Sequence, residues 1–376
     1  MATICCVPLT HYNSEKLWQP VLVLEAPPGS ARVDWMQGWL EECKENGART
    51  FAVSCDFAAG GPWAGVTDLF GELIGEIQRE RPDLIERHAL ELVYILPLLR
   101  QSVTVRNPNL TDLAPRSERT RNYPADRAMR NVHGLIDLLD EWKTGTAPED
   151  SWVIACDSFD EAGAMGSLFF RELMRRHSER LKICLLASVM PGRSQATVES
   201  FDAKIETEMI VLRLSGQPSA SADPDSAVRE ATALEQRIGD DEIELQANLP
   251  RLIQLWKCAG RASKVLDYQY QALETYNTLG LYADALRYAD GLLTLVSQEA
   301  PDDDQWRWAI FIKILMCHLG LDDVEASLRL VEETGLPLAE TNASWKNQLF
   351  YLMAMMYARF KKPRDFVKGE EYLERS

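Results

Sequence analysis

The sequence predicts an α/β domain with a parallel sheet, followed by a domain of α-helical hairpins. Three observations carry this. Short continuous runs of Val, Ile, Leu and Cys alternate with helical patterns through the first half, as in a sheet buried on both faces. No strand-like run follows Leu214. The second half repeats a helix–turn–helix pattern at a spacing of about 40 residues, the signature of stacked helical hairpins.

The strand-like runs are PVLVLEA (20–26), TFAVSCDF (50–57), WVIACDS (152–158), KICLLAS (182–188) and MIVLRLS (209–215). Between them, ARVDWMQGWLEECKENG, VTDLFGELIGEIQRE, DLIERHALELVYILPLLRQ, MRNVHGLIDLLDEWK and SLFFRELMRRHSERL place apolar residues at helical spacing. Strands and helices in alternation imply a doubly wound parallel sheet. Residues 101–127 interrupt it with a polar stretch containing three prolines. Seven arginines against three acids between Arg100 and Arg130 make this insertion locally basic, either a solvated loop or a surface for an acidic partner segment.

The domain reading is 1–215 for the α/β domain, 216–243 for an acidic linker and helix, and 244–376 for the helical repeats. SGQPSASADPD, near residue 215, has linker composition. From Asp223 to Glu244 there are eight acids and two bases. ELQANLPRLIQLWKCAGRASKVLDY (244–268) reads as a helical pair. QALETYNTLGLYADALRYADGLLTLV (271–296), WAIFIKILMCHLGLDDVEASLRLVEETG (308–335) and WKNQLFYLMAMMYARFKKPRDFVKGEEYLER (345–375) read as successive hairpins, with Gly280 and Gly320 at the turns and Lys361 at the matching place in the third. No polar capping helix is evident at the end of the array, so either further protein or a partner is expected to cover apolar surface of the FYLMAMMYARF helix.

A net charge of −17, from 57 acids against 40 bases, repels nucleic acid and anionic membranes, and neither is expected as a partner. No apolar run reaches the roughly 18 residues of a membrane span, and the N-terminus lacks a basic n-region. The eight cysteines form no C-x-x-C pair. They read as reduced thiols of a cytoplasmic protein. The five histidines are scattered without metal spacing, and no metal site is expected.

The site question centres on VLVLEAPPGSARVDW. A buried strand runs into a Pro-Gly-Ser turn that opens a helix, the outline of a phosphate-binding loop. A working loop reads G-x-x-x-x-G-K-[ST]: backbone N–H groups cradle the phosphates, lysine neutralises them and a hydroxyl holds magnesium. Here Ala26 and Ala31 stand at the two glycine positions, Arg32 at the lysine and Val33 at the hydroxyl. Gly29, Ser30 and Arg32 are the remnants of such a loop. Ala31 puts a Cβ where backbone must approach phosphate, Arg32 is a planar fork rather than a compact ammonium, and Val33 cannot coordinate magnesium. The strand WVIACDSFDEAG then supplies Asp157, where magnesium would sit in an ATPase, and Asp160-Glu161, where an attacking water would be oriented. Helix capping and surface charge would explain the same three acids.

The order of these segments, strand–APPGS–helix, then VIACDSFDEA, then LLASVMPGR, then helical hairpins, resembles the STAND class of P-loop signalling NTPases, with an arrangement like the bacterial ATPase–tetratricopeptide regulators. The likeness covers about residues 15–300. It implies an AAA-like P-loop domain and tetratricopeptide (TPR)-like repeats, the first with Gly280, Tyr282 and Ala285 in the expected places. Asp157, Asp160, Glu161 and Ala162 match the D-x-x-D-E-A pattern of the class, and GGPWAGVTDLFGELI and RHALELVYILPLLRQ look like segments of bacterial members. The departures are the degenerate loop, the lack of a Gly-Arg adenine contact before the first strand, an arginine missing from Ser188-Val189-Met190-Pro191, and little room for a winged helix after Leu214.

The expected function is therefore a non-catalytic regulator or scaffold on a pseudo-ATPase core, with no cofactor. It would bind a protein partner through the repeats, with Trp306, Trp308, Trp345 and Tyr357 as candidate anchors and loop 101–127 as a competing surface. The same aromatic residues would equally serve as packing between hairpins. The alternative is a nucleotide-dependent switch that binds ATP or ADP with magnesium through Asp157, acting in transcription regulation, stress signalling or defence.

Overall fold

The computed structural model describes residues 20–105, 124–205, 207–211, 223–340 and 342–376. β1 (Val21–Glu25) leads to α1 (Ser30–Glu45), then β2 (Arg49–Ser54), α2 (Val66–Glu80), α3 (Pro82–Arg87), α4 (Ala89–Ile95) and α5 (Pro124–Thr146). β3 (Trp152–Asp157), α6 (Ala164–Leu181), β4 (Ile183–Val189), α7 (Ser194–Ser200) and β5 (Thr207–Val211) complete the sheet region. The five strands form one sheet in the order β2-β3-β4-β1-β5, with every pairing parallel.

Position in the sheet explains the strand compositions. β1, β3 and β4 lie inside it, and their apolar runs VLVL, WVIAC and ICLLASV are buried throughout. β2 lies at an edge, where burial alternates along the strand. β5 is the other edge strand, and Met209 and Val211 are exposed. The expectation that all five strands are buried on both faces therefore holds only for the inner three. The fifth strand also starts earlier than the run 209–215, at Thr207; residues 212–215 and most of the basic insertion, 106–123, lie outside the described residues.

On one side of the sheet, Met36, Trp39, Leu40 and Cys43 of α1 pack with Leu22, Leu24, Val153, Ala155 and Leu186. At the β2–β3 edge, Trp152 is fully buried against Phe51 at 5.0 Å and Trp142 at 5.7 Å between ring centroids. The Arg49 guanidinium stacks over these rings and pairs with Glu76 at 2.8 Å. The segment read as one helix over 83–101 is broken into α3, α4 and a 3-10 turn at Pro97–Gln101; Pro97, which has no N–H to continue the ladder, accounts for the end of α4.

Beyond the sheet the chain is helical: α8 (Pro224–Ile238), α9 (Glu242–Cys258), α10 (Ala262–Leu279), α11 (Tyr282–Ala289), α12 (Leu292–Glu299), α13 (Asp304–Gly320), α14 (Val324–Leu330), α15 (Ala343–Met355) and α16 (Phe366–Arg375). The chain divides into two compact units inside α9, between Gln254 and Leu255. α8 and most of α9 thus group with the sheet unit, whereas the sequence reading started the repeats at 244.

In the helical unit, α10–α11, α13–α14 and α15–α16 pack as successive hairpins. Asp and Asn side chains start several helices: Asp303, Asp323, Asn342 and Asp365 each accept an N–H from the first turn. Gly280 ends α10 in the left-handed conformation, where glycine costs least. Gly320 has a different reason to be glycine: a Cβ there would lie 2.3 Å from the Tyr282 ring.

Candidate functional site

Parallel pairing puts the carboxyl ends of all five strands on one edge, the usual place for ligands in open α/β sheets. Gly29 follows β1 at this edge and Asp157 closes β3. Ser188 is the penultimate residue of β4, paired with Leu24 of β1. Gly29 has φ 141 and ψ 179, a conformation essentially restricted to glycine, so the turn into α1 depends on it. Ser30 is the first residue of α1.

Arg32 sits on the buried stripe of α1, with Met36, Trp39, Leu40 and Cys43. It is 3% exposed and turned inward, its Nη2 2.9 Å from Asp157 Oδ1. The same nitrogen donates to Ser158 Oγ at 2.9 Å. Asp157 is 28% exposed. It also accepts from Ser188 Oγ at 2.8 Å and from Ser158 Oγ at 3.2 Å. Ser158 has a left-handed backbone, φ 56, and its N–H donates to Ser188 Oγ at 2.9 Å. The result is a network linking the start of α1 to the ends of β3 and β4, with Arg32 as its cation and the Arg32 Nε buried without a partner.

The turn itself offers few donors. Pro27 and Pro28 have no N–H. The Ala26 N–H is used by Val189 O at 3.1 Å, and the Arg32 and Val33 N–H groups fold back onto Gly29 O. By position, Gly29, Ser30 and Ala31 carry the N–H groups that head α1. Val33 is exposed and apolar. This set does not fit a magnesium-bound nucleotide: the carboxylate that would face the metal is engaged by Arg32, and two of the loop's backbone donors are missing.

The remaining acids are spread along the edge. Asp160 Oδ2 accepts the Met190 N–H at 3.2 Å, and its Oδ1 is buried without a donor. Glu161 is exposed in the short turn Phe159–Glu161. Glu25, at the end of β1, accepts from the Ser194 hydroxyl and from the backbone N–H groups of Gly192 and Ser194. The Ser194 bond, first among these, holds the Glu25 carboxyl below its ordinary range. Asp56 caps the turn after β2 by accepting from Ala58 N, and Asp68 accepts from Ser54 N at 3.0 Å. Among the described residues, no group of three or more His, Cys, Asp or Glu side chains is placed to hold a metal ion.

Sequence reasoning named Gly29, Ser30, Arg32, Asp157, Asp160 and Glu161, and the fold gathers them at one edge. It missed Pro27 and Pro28 as lost donors, and the Glu25–Ser194 pair. It also missed the inward turn of Arg32, although Arg32 falls four residues before Met36 on the apolar stripe of α1, which was the available signal.

The aromatic residues read as partner anchors are placed differently. Trp308 is 7% exposed and stacks on Trp345, with centroids 4.9 Å apart and ring planes nearly parallel. Tyr357 is 4% exposed and stacks on Tyr372 at 5.6 Å. Trp308 and Tyr357 are thus core residues and unavailable to a partner. Trp345 packs partly buried against the same core, and Trp306 meets Tyr270 edge-on at 6.4 Å. The expected apolar surface on FYLMAMMYARF is largely covered: Phe350, Met353, Met356 and Tyr357 are buried, with α16 packed against this segment, while Tyr351 is exposed.

No family model matches the chain, and no curated protein matches it. Among solved structures, it is similar to a chain in the structure of Drosophila ORC bound to AT-rich DNA and Cdc6, at 13% identity and a TM-score of 0.27, over 69% of this chain and 75% of that one. No helix among the described residues is long and apolar enough to cross a membrane.

Proposed function

We propose that this chain is a cytoplasmic regulatory or scaffold protein that works by binding a protein partner, on a STAND-like P-loop core that does not turn over ATP. One observation carries the reading: Arg32, at the lysine position of the loop, is buried in an ion pair with Asp157, the residue that would face magnesium. A nucleotide would have to draw Arg32 off Asp157 first. Separating the pair offsets part of the energy gained from the phosphates and so lowers nucleotide affinity. The missing N–H groups at Pro27 and Pro28 lower it further. The hairpins α10–α11, α13–α14 and α15–α16 support TPR-like repeats as the partner-binding part, since stacked hairpins expose a continuous face.

A nucleotide-dependent switch is the competing reading. It is favoured by Asp160, whose buried Oδ1 lacks a donor beside the strand end. Titration of the full chain with ATP and ADP, with and without magnesium, separates the two. No saturable heat at millimolar nucleotide supports the scaffold. Micromolar magnesium-dependent binding, or hydrolysis abolished by Asp157→Ala, supports the switch.

A further inference from the structure

The last helix, α16, distributes its side chains unevenly. At about 100° per residue, Lys368, Gly369, Tyr372 and Arg375 share one arc. Gly369 is buried. Lys368 Nζ lies 4.6 Å from the Tyr357 ring centroid and the Arg375 guanidinium 4.3 Å from that of Phe350. Both cations of the helix thus lie against rings of the preceding segment. The opposite arc holds Phe366, Val367 and Leu373, which are 63%, 71% and 55% exposed. Between them stand Glu370 and Glu374, with Glu371 beside Val367, all three exposed. Of the cations before the helix, Lys361 also lies over Tyr357, Lys362 pairs with Asp322 at 2.9 Å, and Arg364 precedes the Asp365 cap.

We propose that the outer arc of α16 docks an amphipathic, lysine- or arginine-bearing helix of a partner protein. Its apolar side chains would pack on Phe366, Val367 and Leu373, and its cations would face Glu370, Glu371 and Glu374. Large exposed apolar side chains grouped on one face mark interaction surfaces, and an amphipathic helix is the occupant that continues helix-on-helix packing. The charges select between occupants. A second copy of α16 packed about a two-fold axis would bring Glu370, near the helix centre, against its own mate, and like charges at a contact oppose it. A basic helix meets the glutamates favourably. With ten residues on this side, the interface is small and the complex transient. This proposal rests on the interaction-protein reading and adds the chemistry of the partner.

The test uses the full chain and two short labelled peptides, both with leucines at helical spacing, one with lysines at the other positions and one with glutamates. Fluorescence anisotropy is expected to show the lysine peptide binding at least about tenfold more tightly. Phe366→Ser with Leu373→Ser is expected to weaken it at least about tenfold, and Glu370→Lys with Glu374→Lys to reverse the preference. Circular dichroism of each variant confirms that the fold is retained. Equal binding of the lysine peptide to the Phe366/Leu373 variant means general attraction to an acidic chain and overturns the proposal. So does no binding at all, or self-association abolished by the same variant, which would make a second copy the occupant. Any of these leaves the reading of the nucleotide edge standing, since that reading fails only by nucleotide binding or turnover.

Discussion

At the carboxyl edge of the sheet, Arg32, Asp157, Ser158 and Ser188 are joined to one another at 2.8–3.2 Å. Along the outer arc of α16, three apolar side chains and three glutamates face outward with both helix cations turned the other way. The first region carries the sequence motif, and its side chains are spent on each other. The second carries no motif, and its side chains are available. A motif therefore locates a place in the fold but does not show that the place is open; the partners of each polar atom do.

The comparison can be broken most sharply at Asp157. Asp157→Ala leaves Arg32 as a buried, unpaired cation and is expected to cost about 3 kcal/mol, the low end of the usual range because Asp157 keeps some exposure, read by urea unfolding. Replacing both partners, Arg32→Met with Asp157→Leu, is expected to cost clearly less than the sum of the two single changes. Strict additivity would mean that the network does not hold the edge closed. Next in size is Gly29→Ala, expected to cost about 1–3 kcal/mol because the turn needs a backbone conformation that alanine rarely adopts.

A smaller effect concerns Glu25. Its folded-state pKa is depressed, so its contribution to stability is full above the unfolded value of about 4.3 and is lost as pH falls through the lower folded value. Ser194→Ala is expected to flatten stability against pH in that acidic window and to leave the slope above pH 6 unchanged; an unchanged acid limb would contradict the assigned bond. The smallest expected effect belongs to the open face: Phe366→Ser with Leu373→Ser is expected to change unfolding free energy by no more than about 0.5 kcal/mol per site. A large loss would show that α16 is covered in the folded chain and close the contrast between the two regions.

The strands were legible because inner strands of a parallel sheet need continuous apolar runs, and Val21–Glu25, Trp152–Asp157 and Ile183–Val189 have them. VTDLFGELIGEIQRE gave the bounds of α2 as observed, Val66–Glu80. Strand order was not legible, since it depends on how each crossover packs rather than on any local pattern. Periodicity in the final hairpin shows a helix but not which face another helix covers, so it leaves Tyr357 open as partner anchor or core, and α16 buries it. The site residues were legible as a set through their place at strand ends. Their mutual pairing was not, because it joins residues 126 and 31 positions apart and depends on side-chain direction.

The central claim, that the loop of this α/β unit is closed jointly by the Arg32–Asp157 pair and by the N–H groups missing at Pro27 and Pro28, is tested most directly by magnesium–ATP titration of three forms: the native chain, Arg32→Lys with Ala31→Gly and Val33→Ser, and the same triple variant with Pro27→Gly and Pro28→Gly. The account predicts no saturable binding to the native chain, none or little to the triple variant, and a gain only when the prolines are also replaced and the backbone donors return. Micromolar binding to the native chain, with Asp157→Ala abolishing it, would contradict the account.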